Sequence, residues 1–203
     1  MLRTFDDIYE TMPWDAVDAV VFDVGQVLLS YNPQEILDEH VPDRPDLHPI
    51  LLEKIFRSPY WLMRDHGLMT RDEAIEAMIG RDEPLRPYIT RVMHNWVDLK
   101  EVLPEGLKTL QSCKAHGKKV YVLSNMPTMP LRLSSTSTTS GRLKLMKPSE
   151  QIFQYVISAT GHEPSRVLFL DDTPGNVEGA LFCGWQSLCV SHPGKLTEFF
   201  GLE

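Results

Sequence analysis

Apolar runs in this chain stop repeatedly at small clusters of polar residues. Ala19-Val20-Val21-Phe22 runs into Asp23, and Lys119–Leu123 runs into Ser124-Asn125. Arg166–Leu170 runs into the pair Asp171-Asp172, and Lys147 precedes Pro148 at the start of a further apolar-periodic segment. Continuous β-branched and aromatic runs of this length read as buried strands of a parallel sheet. Strands of such a sheet share one direction, so their carboxyl ends lie along one edge, where open α/β folds bind ligands. A carboxylate, a hydroxyl, a lysine and a carboxylate pair converging there make a phosphate site with a hard cation. Mg²⁺ prefers oxygen donors and keeps several waters, so one or two carboxylates and a ligand oxygen suffice to hold it. Asp23 can attack phosphorus only if its repulsion from the phosphoryl oxygens is screened, which the cation and Lys147 provide. Taken singly, Asp23 or the Asp171-Asp172 pair reads as well as a turn or helix cap, and Lys147 as a solvated helix-start lysine.

The elements that position these residues alternate. Strands are expected at about Asp18–Asp23, Lys119–Leu123, Arg166–Leu170 and Gln186–Val190, with helices at Pro104–His116, Pro148–Thr160 and Pro174–Gly184. Strands separated by helices of this length predict an α/β fold with a doubly wound, Rossmann-like parallel sheet. Residues 32–103 break the alternation, being helical and poor in strand formers. Asn32-Pro33 opens a helix there, and Thr70-Arg71-Asp72-Glu73 forms a capping box before another. The expected organisation is therefore a lead-in at 1–17, a core at 18–31 and 104–203, and an inserted all-helical cap domain at 32–103. Within the cap, Trp61, Met63, Arg64, His66 and Trp96 either face a ligand or pack the domain, packing being the reading for the tryptophans.

Composition narrows the partners. The 203 residues carry 28 acidic and 20 basic side chains, a net charge of −8 that argues against a general nucleic-acid or membrane-surface binder. Three cysteines without metal-site spacing point to a reducing compartment. With no long apolar segment near the start, the expected location is cytoplasmic, as a monomer or weak homo-oligomer.

Four segments in order resemble the motifs of the haloacid dehalogenase-like hydrolase superfamily, in its branch with a helical cap after the first motif. They are Phe22-Asp23-Val24-Gly25-Gln26-Val27-Leu28, Leu123-Ser124-Asn125, Met146-Lys147-Pro148 and the run from Phe169 to Ala180 containing Asp171-Asp172 and Asn176. The Phe-Asp-x-Gly-x-Val opening resembles in particular the bacterial alpha-D-glucose-1-phosphate phosphatase group. The resemblance implies that Asp23 is the nucleophile and a Mg²⁺ ligand, and that Gly25 lends a backbone carbonyl and Asp172 a carboxylate to the metal. It implies that Ser124, Asn125 and Lys147 hold phosphoryl oxygens, with Asp171 and Asn176 in support. The implied reaction is Mg²⁺-dependent hydrolysis of a small phosphorylated metabolite, a sugar phosphate first among them, through an aspartyl-phosphate.

Two departures stand out. Most phosphatases of this superfamily place a second Asp two residues after the nucleophile as general acid, and here that position is Gly25. Leaving groups that depart readily, such as acyl, aryl and anomeric phosphates, are then favoured; His66 or His94 are substitutes from the cap. Second, the Ser/Thr-rich stretch within 127–146 is too short for the usual helix and strand and would leave a sheet face bare. Leu133–Ser140 reads as a solvated loop in preference to a poor edge strand or an artefact of the recorded sequence. Two alternatives stay open, a metal-free 2-haloacid dehalogenase and a catalytically impaired phospho-ligand-binding protein.

Overall fold

The computed structural model describes residues 3–65, 67–96, 101–125, 137–139 and 145–202, with 137–139 described by backbone alone. The chain divides into two compact units, Met1–Ser30 with Val102–Glu203, and Tyr31–Glu101.

The first unit is built on a five-stranded parallel sheet. Its strands are β1 (Ala19–Phe22), β2 (Lys119–Ser124), β3 (Ser137–Thr139), β4 (Val167–Asp171) and β5 (Gln186–Cys189), in the order β3-β2-β1-β4-β5. The opening strand thus lies at the centre, with Val21 paired to Tyr121 on one side and to Phe169 on the other. Alternation sends successive side chains to opposite faces. Val20, Phe22, Leu168 and Leu170 pack with Leu110, Leu196 and Phe199 on one face. Ala19, Val21, Val167 and Phe169 pack with Ile152, Phe153, Val156 and Trp185 on the other. Both faces are buried, which is why these strands read as unbroken apolar runs. The helices supplying the cover are α6 (Pro104–Ala115) and α9 (Gly194–Phe200) on the first face, and α7 (Glu150–Thr160) and α8 (Pro174–Phe182) on the second. The α/β doubly wound core is as expected.

One expectation needs correction. Ser137–Thr139 is not a solvated loop but an edge strand, paired in parallel with β2 at Val122↔Ser137 and Leu123↔Thr138. An edge strand needs only one ladder partner, and that pairing is made by backbone groups, which a Ser/Thr run supplies as well as an apolar one. The remaining calls on 126–136 and 140–144 lie outside the described residues.

The second unit holds α1 (Pro33–His40), α2 (His48–Leu51), α3 (Pro59–Asp65), α4 (Arg71–Ile79) and α5 (Arg86–Asn95). Asn32 caps α1 by accepting from the Gln34 amide at 3.0 Å, and the expected Thr70/Glu73 capping box opens α4. Trp61 and Trp96 are buried, meeting edge-on at 4.9 Å, with the Arg64 guanidinium 4.0 Å from the Trp61 ring and paired to Asp65. The tryptophans pack this unit's interior. Among the described residues no helix is long and apolar enough to cross a membrane.

The loop after β1 is braced within its own unit. Val24 O accepts from the amides of Leu28 and Leu29 at 3.0 and 2.8 Å, and Leu103 N donates to Leu28 O at 2.9 Å. Helix α6 seats on this loop through Gly106, where a Cβ would overlap the Val27 carbonyl oxygen and approach Leu28 Cα at 3.2 Å. Gly106→Ala gains helix propensity but must push the loop and helix apart. Overpacking of this kind costs ~1–3 kcal/mol, so the melting temperature should fall by several degrees. A melting temperature equal to or above that of the wild type would show that Gly106 does not set this contact.

Candidate active site

The central position of β1 delivers Asp23 to the carboxyl edge. Its amide donates to Leu170 O at 2.9 Å, so the ladder with β4 runs one residue past the strand. Strands β2 and β4 bring Ser124 and Asp171 to the same edge, where both are buried. Between them comes Lys147, whose Nζ donates to Asp23 Oδ1 and to Asp171 Oδ2, both at 2.6 Å. Asp171 is the hub of the network. Its Oδ1 also accepts from the Thr173 amide at 2.8 Å and from Asn176 Nδ2 at 3.0 Å. The Asx turn through Thr173 leads straight into α8, which places Asn176 one turn along.

Asp172 is the third carboxylate. One oxygen from each of Asp23, Asp171 and Asp172 lies within 4.8 Å of the others. Asn125 follows Ser124 directly after β2. Its carboxamide is engaged with the main chain of Lys147, Nδ2 donating to Lys147 O and Oδ1 accepting from Lys147 N, both at 2.9 Å. Gly25 pairs with Leu29 in the loop, and a Cβ built on it would meet only Asp23 Oδ2, at 4.0 Å. The backbone there would accept a Cβ without a clash. Of the proposed substitutes, His94 is exposed on α5, and His66 lies outside the described residues.

Charge explains what this cluster lacks. Three carboxylates face one ammonium, leaving an excess of negative charge in a mostly buried site. Burial pushes the Asp23 carboxyl up to about 6; Lys147 pulls against this and Asp171 adds to it. Burial also raises Asp172, with Asp171 again adding. Burial disfavours the Lys147 ammonium, yet Asp23 and Asp171 together hold it above the ordinary lysine value. A divalent cation would cancel the surplus, and oxygen donors are the set that Mg²⁺ takes. The residues present fit that ion, since Asp23, Asp171 and Asp172 each bring a carboxylate oxygen to one place.

Comparison with known proteins meets this geometry. The family model for haloacid dehalogenase-like hydrolases matches residues 17–184. The chain belongs to that family. It is also 26% identical over 208 residues to drimenol cyclase drtB of Aspergillus calidoustus, covering 91% of this chain and 37% of that protein. The chain thus spans little more than a third of that relative's length. Among solved structures, a haloacid dehalogenase family enzyme of Bacteroides thetaiotaomicron in complex with magnesium and inorganic phosphate superposes with a TM-score of 0.59 at 18% identity, covering 85% of this chain and 93% of that one. A 2-haloacid dehalogenase from Pseudomonas syringae gives a TM-score of 0.56 at 17% identity, covering 85% and 86%. Likenesses at this identity establish the shared fold.

Within this haloacid dehalogenase-like hydrolase, the sequence motifs led to each carboxylate and to Lys147, but not to the hub role of Asp171. The hydrogen-bonding capacity of Asn125 carried the one available hint of its clamp. Lys147→Met tests the electrostatics, because it leaves Asp23 and Asp171 facing each other without their shared cation. Breaking a buried pair in this way is expected to cost ~3–5 kcal/mol at pH 8. The Asp23 carboxyl is already raised above its unfolded value, so its protonation favours the fold as pH drops through that raised value. Loss of Lys147 raises it further, and the variant's deficit should shrink at pH 5. Urea unfolding at the two pH values measures this, and an equal deficit at both would contradict the assignment.

Proposed function

We propose that this chain is a Mg²⁺-dependent phosphatase that hydrolyses a small phosphorylated metabolite through an aspartyl-phosphate on Asp23, with residues 32–103 as its inserted helical cap domain. The observation that carries the reading is the surplus of buried carboxylate around Asp23, which a divalent cation and a phosphoryl group would together put to use. A dehalogenase working on the same Asp needs no metal, and the Asp171-Asp172 pair would then burden the site without purpose.

Asp23 Oδ attacks phosphorus, and the bond from phosphorus to the leaving oxygen breaks. Lys147, held within reach of Asp23, neutralises charge on the phosphoryl oxygens. Ser124, at the end of β2 on the same edge, offers a hydroxyl to them. Mg²⁺, which Asp23 and Asp172 would hold, would supply Lewis-acid screening of the phosphoryl charge. Water then hydrolyses the acyl phosphate and returns Asp23 as a carboxylate. Asn176 and the Thr173 amide keep Asp171 oriented toward Lys147 throughout.

Gly25 limits the leaving group. Position 25 offers no side chain to donate a proton to the departing oxygen. Positioned acid–base help is typically worth ~10²–10⁴ in rate. Substrates with acidic leaving alcohols are therefore favoured: anomeric sugar phosphates, aryl phosphates and acyl phosphates.

Hydrolysis of p-nitrophenyl phosphate with and without Mg²⁺ tests the reading. Activity should require the metal, and Asp23→Asn should abolish it; a fully active Asn variant would remove Asp23 as the nucleophile. A Cβ at position 25 makes only an ordinary contact, so Gly25→Asp is a fair way to restore the acid. It should accelerate alkyl phosphates far more than p-nitrophenyl phosphate, whose leaving group needs no proton. Equal effects on both substrates would mean that a missing acid is not what limits this enzyme.

A further inference from the structure

Lys147 carries the only cation between Asp23 and Asp171 among the described residues. Its side chain is long, and rotamer-rich side chains of this kind lose ~1.5–2 kcal/mol of conformational freedom when fixed. The two carboxylates hold its far end. Its near end is held by two features outside its own segment.

The first is Asn125, 22 residues earlier and one residue past β2. Its side chain closes a two-bond ring on the main chain of Lys147, with both bonds at 2.9 Å. Only a carboxamide carries a donor and an acceptor on one short planar group. Aspartate has the shape without the donor, serine lacks the reach, and alanine has neither. The second is Gly179 on α8. A Cβ there would lie 2.8 Å from Pro148 O, 2.9 Å from Pro148 Cβ and 3.1 Å from Phe153 Cε2. Glycine inside a helix costs ~0.5–1 kcal/mol relative to alanine, so its presence here marks the close approach of the Lys147–Pro148 turn to α8.

We propose that Asn125 and Gly179 are positioning residues for Lys147, Asn125 clasping its main chain and Gly179 letting the adjoining Pro148 seat against α8, so that the ammonium falls between Asp23 and Asp171. The roles of Lys147 and Asp23 in this inference rest on the phosphatase reading; the clamp itself does not. Asn125 then contributes to turnover through Lys147 and not by holding substrate.

A double-mutant cycle on p-nitrophenyl phosphate hydrolysis separates the two roles. Asn125→Ala should lower kcat by ~10²-fold, the scale of an ångström's misplacement of a catalytic group, with little change in KM. In a Lys147→Met background the same change should cost less than about twofold, since nothing is left to position. Asn125→Asp should fail to rescue, for want of the donor to Lys147 O. Gly179→Ala should lower kcat even though it raises helix propensity, and should likewise be silent without Lys147. Equal losses in both backgrounds would overturn the proposal and return Asn125 to substrate binding or to general stability.

A second arm needs no activity. Competitive acylation of amines, read residue by residue by mass spectrometry, should label Lys147 about tenfold faster in Asn125→Ala than in the wild type, as expected when local opening becomes easier. Leu196→Ala, a core truncation on the opposite sheet face, should leave Lys147 protected. Labelling unchanged by Asn125→Ala, or raised equally by Leu196→Ala, would overturn the clamp. If the wild-type chain releases no phosphate under any condition, the phosphatase reading fails while the labelling arm still decides the positioning.

Discussion

The site depends on one buried ammonium shared by two carboxylates. Lys147 places a single positive charge between Asp23 and Asp171, each 2.6 Å from its Nζ. Without it the two carboxylates would face each other in the interior with no shared cation. Yet one cation does not balance three acids, and Asp172 makes the set of three. The fold thus holds a site that is stable enough to form and still short of positive charge. That shortage is what suits it to a divalent ion and its chemistry.

The sheet is what makes the arrangement possible. The strand carrying Asp23 is central, and its neighbours on either side bring Ser124 and Asp171 to the same edge. In the central strands β1 and β4 the side chains on both faces are apolar up to the edge carboxylates, so none of them competes for position there. The precision needed at the edge comes from small residues as much as from large ones. Gly106 lets a helix settle on the loop after Asp23, and Gly179 lets another settle on the turn after Lys147. The absence of a side chain at Gly25 is different in kind, since a Cβ there would clash with nothing and what is missing is a proton donor at that position.

Much of this was legible in the sequence because the controlling signals are local. Apolar runs ending at Asp23 and Asp171 declare buried strands, and Asn32 and Thr70 declare helix starts through their own hydrogen bonds. Convergence of the polar clusters followed from the parallel topology. Three things were less accessible. The strand at Ser137–Thr139 was hidden because its pairing rests on backbone groups that composition does not report. Asn125 stands beside a phosphate-type hydroxyl in sequence, so its engagement with a main chain 22 residues away could not be seen without the fold. The supporting role that the resemblance implied for Asp171 did not name its partners, and only the geometry shows it gathering Lys147, Thr173 and Asn176.

The central claim is that Asp23 carries the phosphoryl group during turnover. Rapid quenching of the Mg²⁺-loaded chain during hydrolysis of an aryl phosphate, followed by borohydride reduction and peptide mass spectrometry, tests it directly. Reduction of an acyl phosphate converts the aspartyl side chain to homoserine. The account predicts that conversion at position 23 and at neither Asp171 nor Asp172. Phosphate release with position 23 still recovered wholly as aspartate would contradict it.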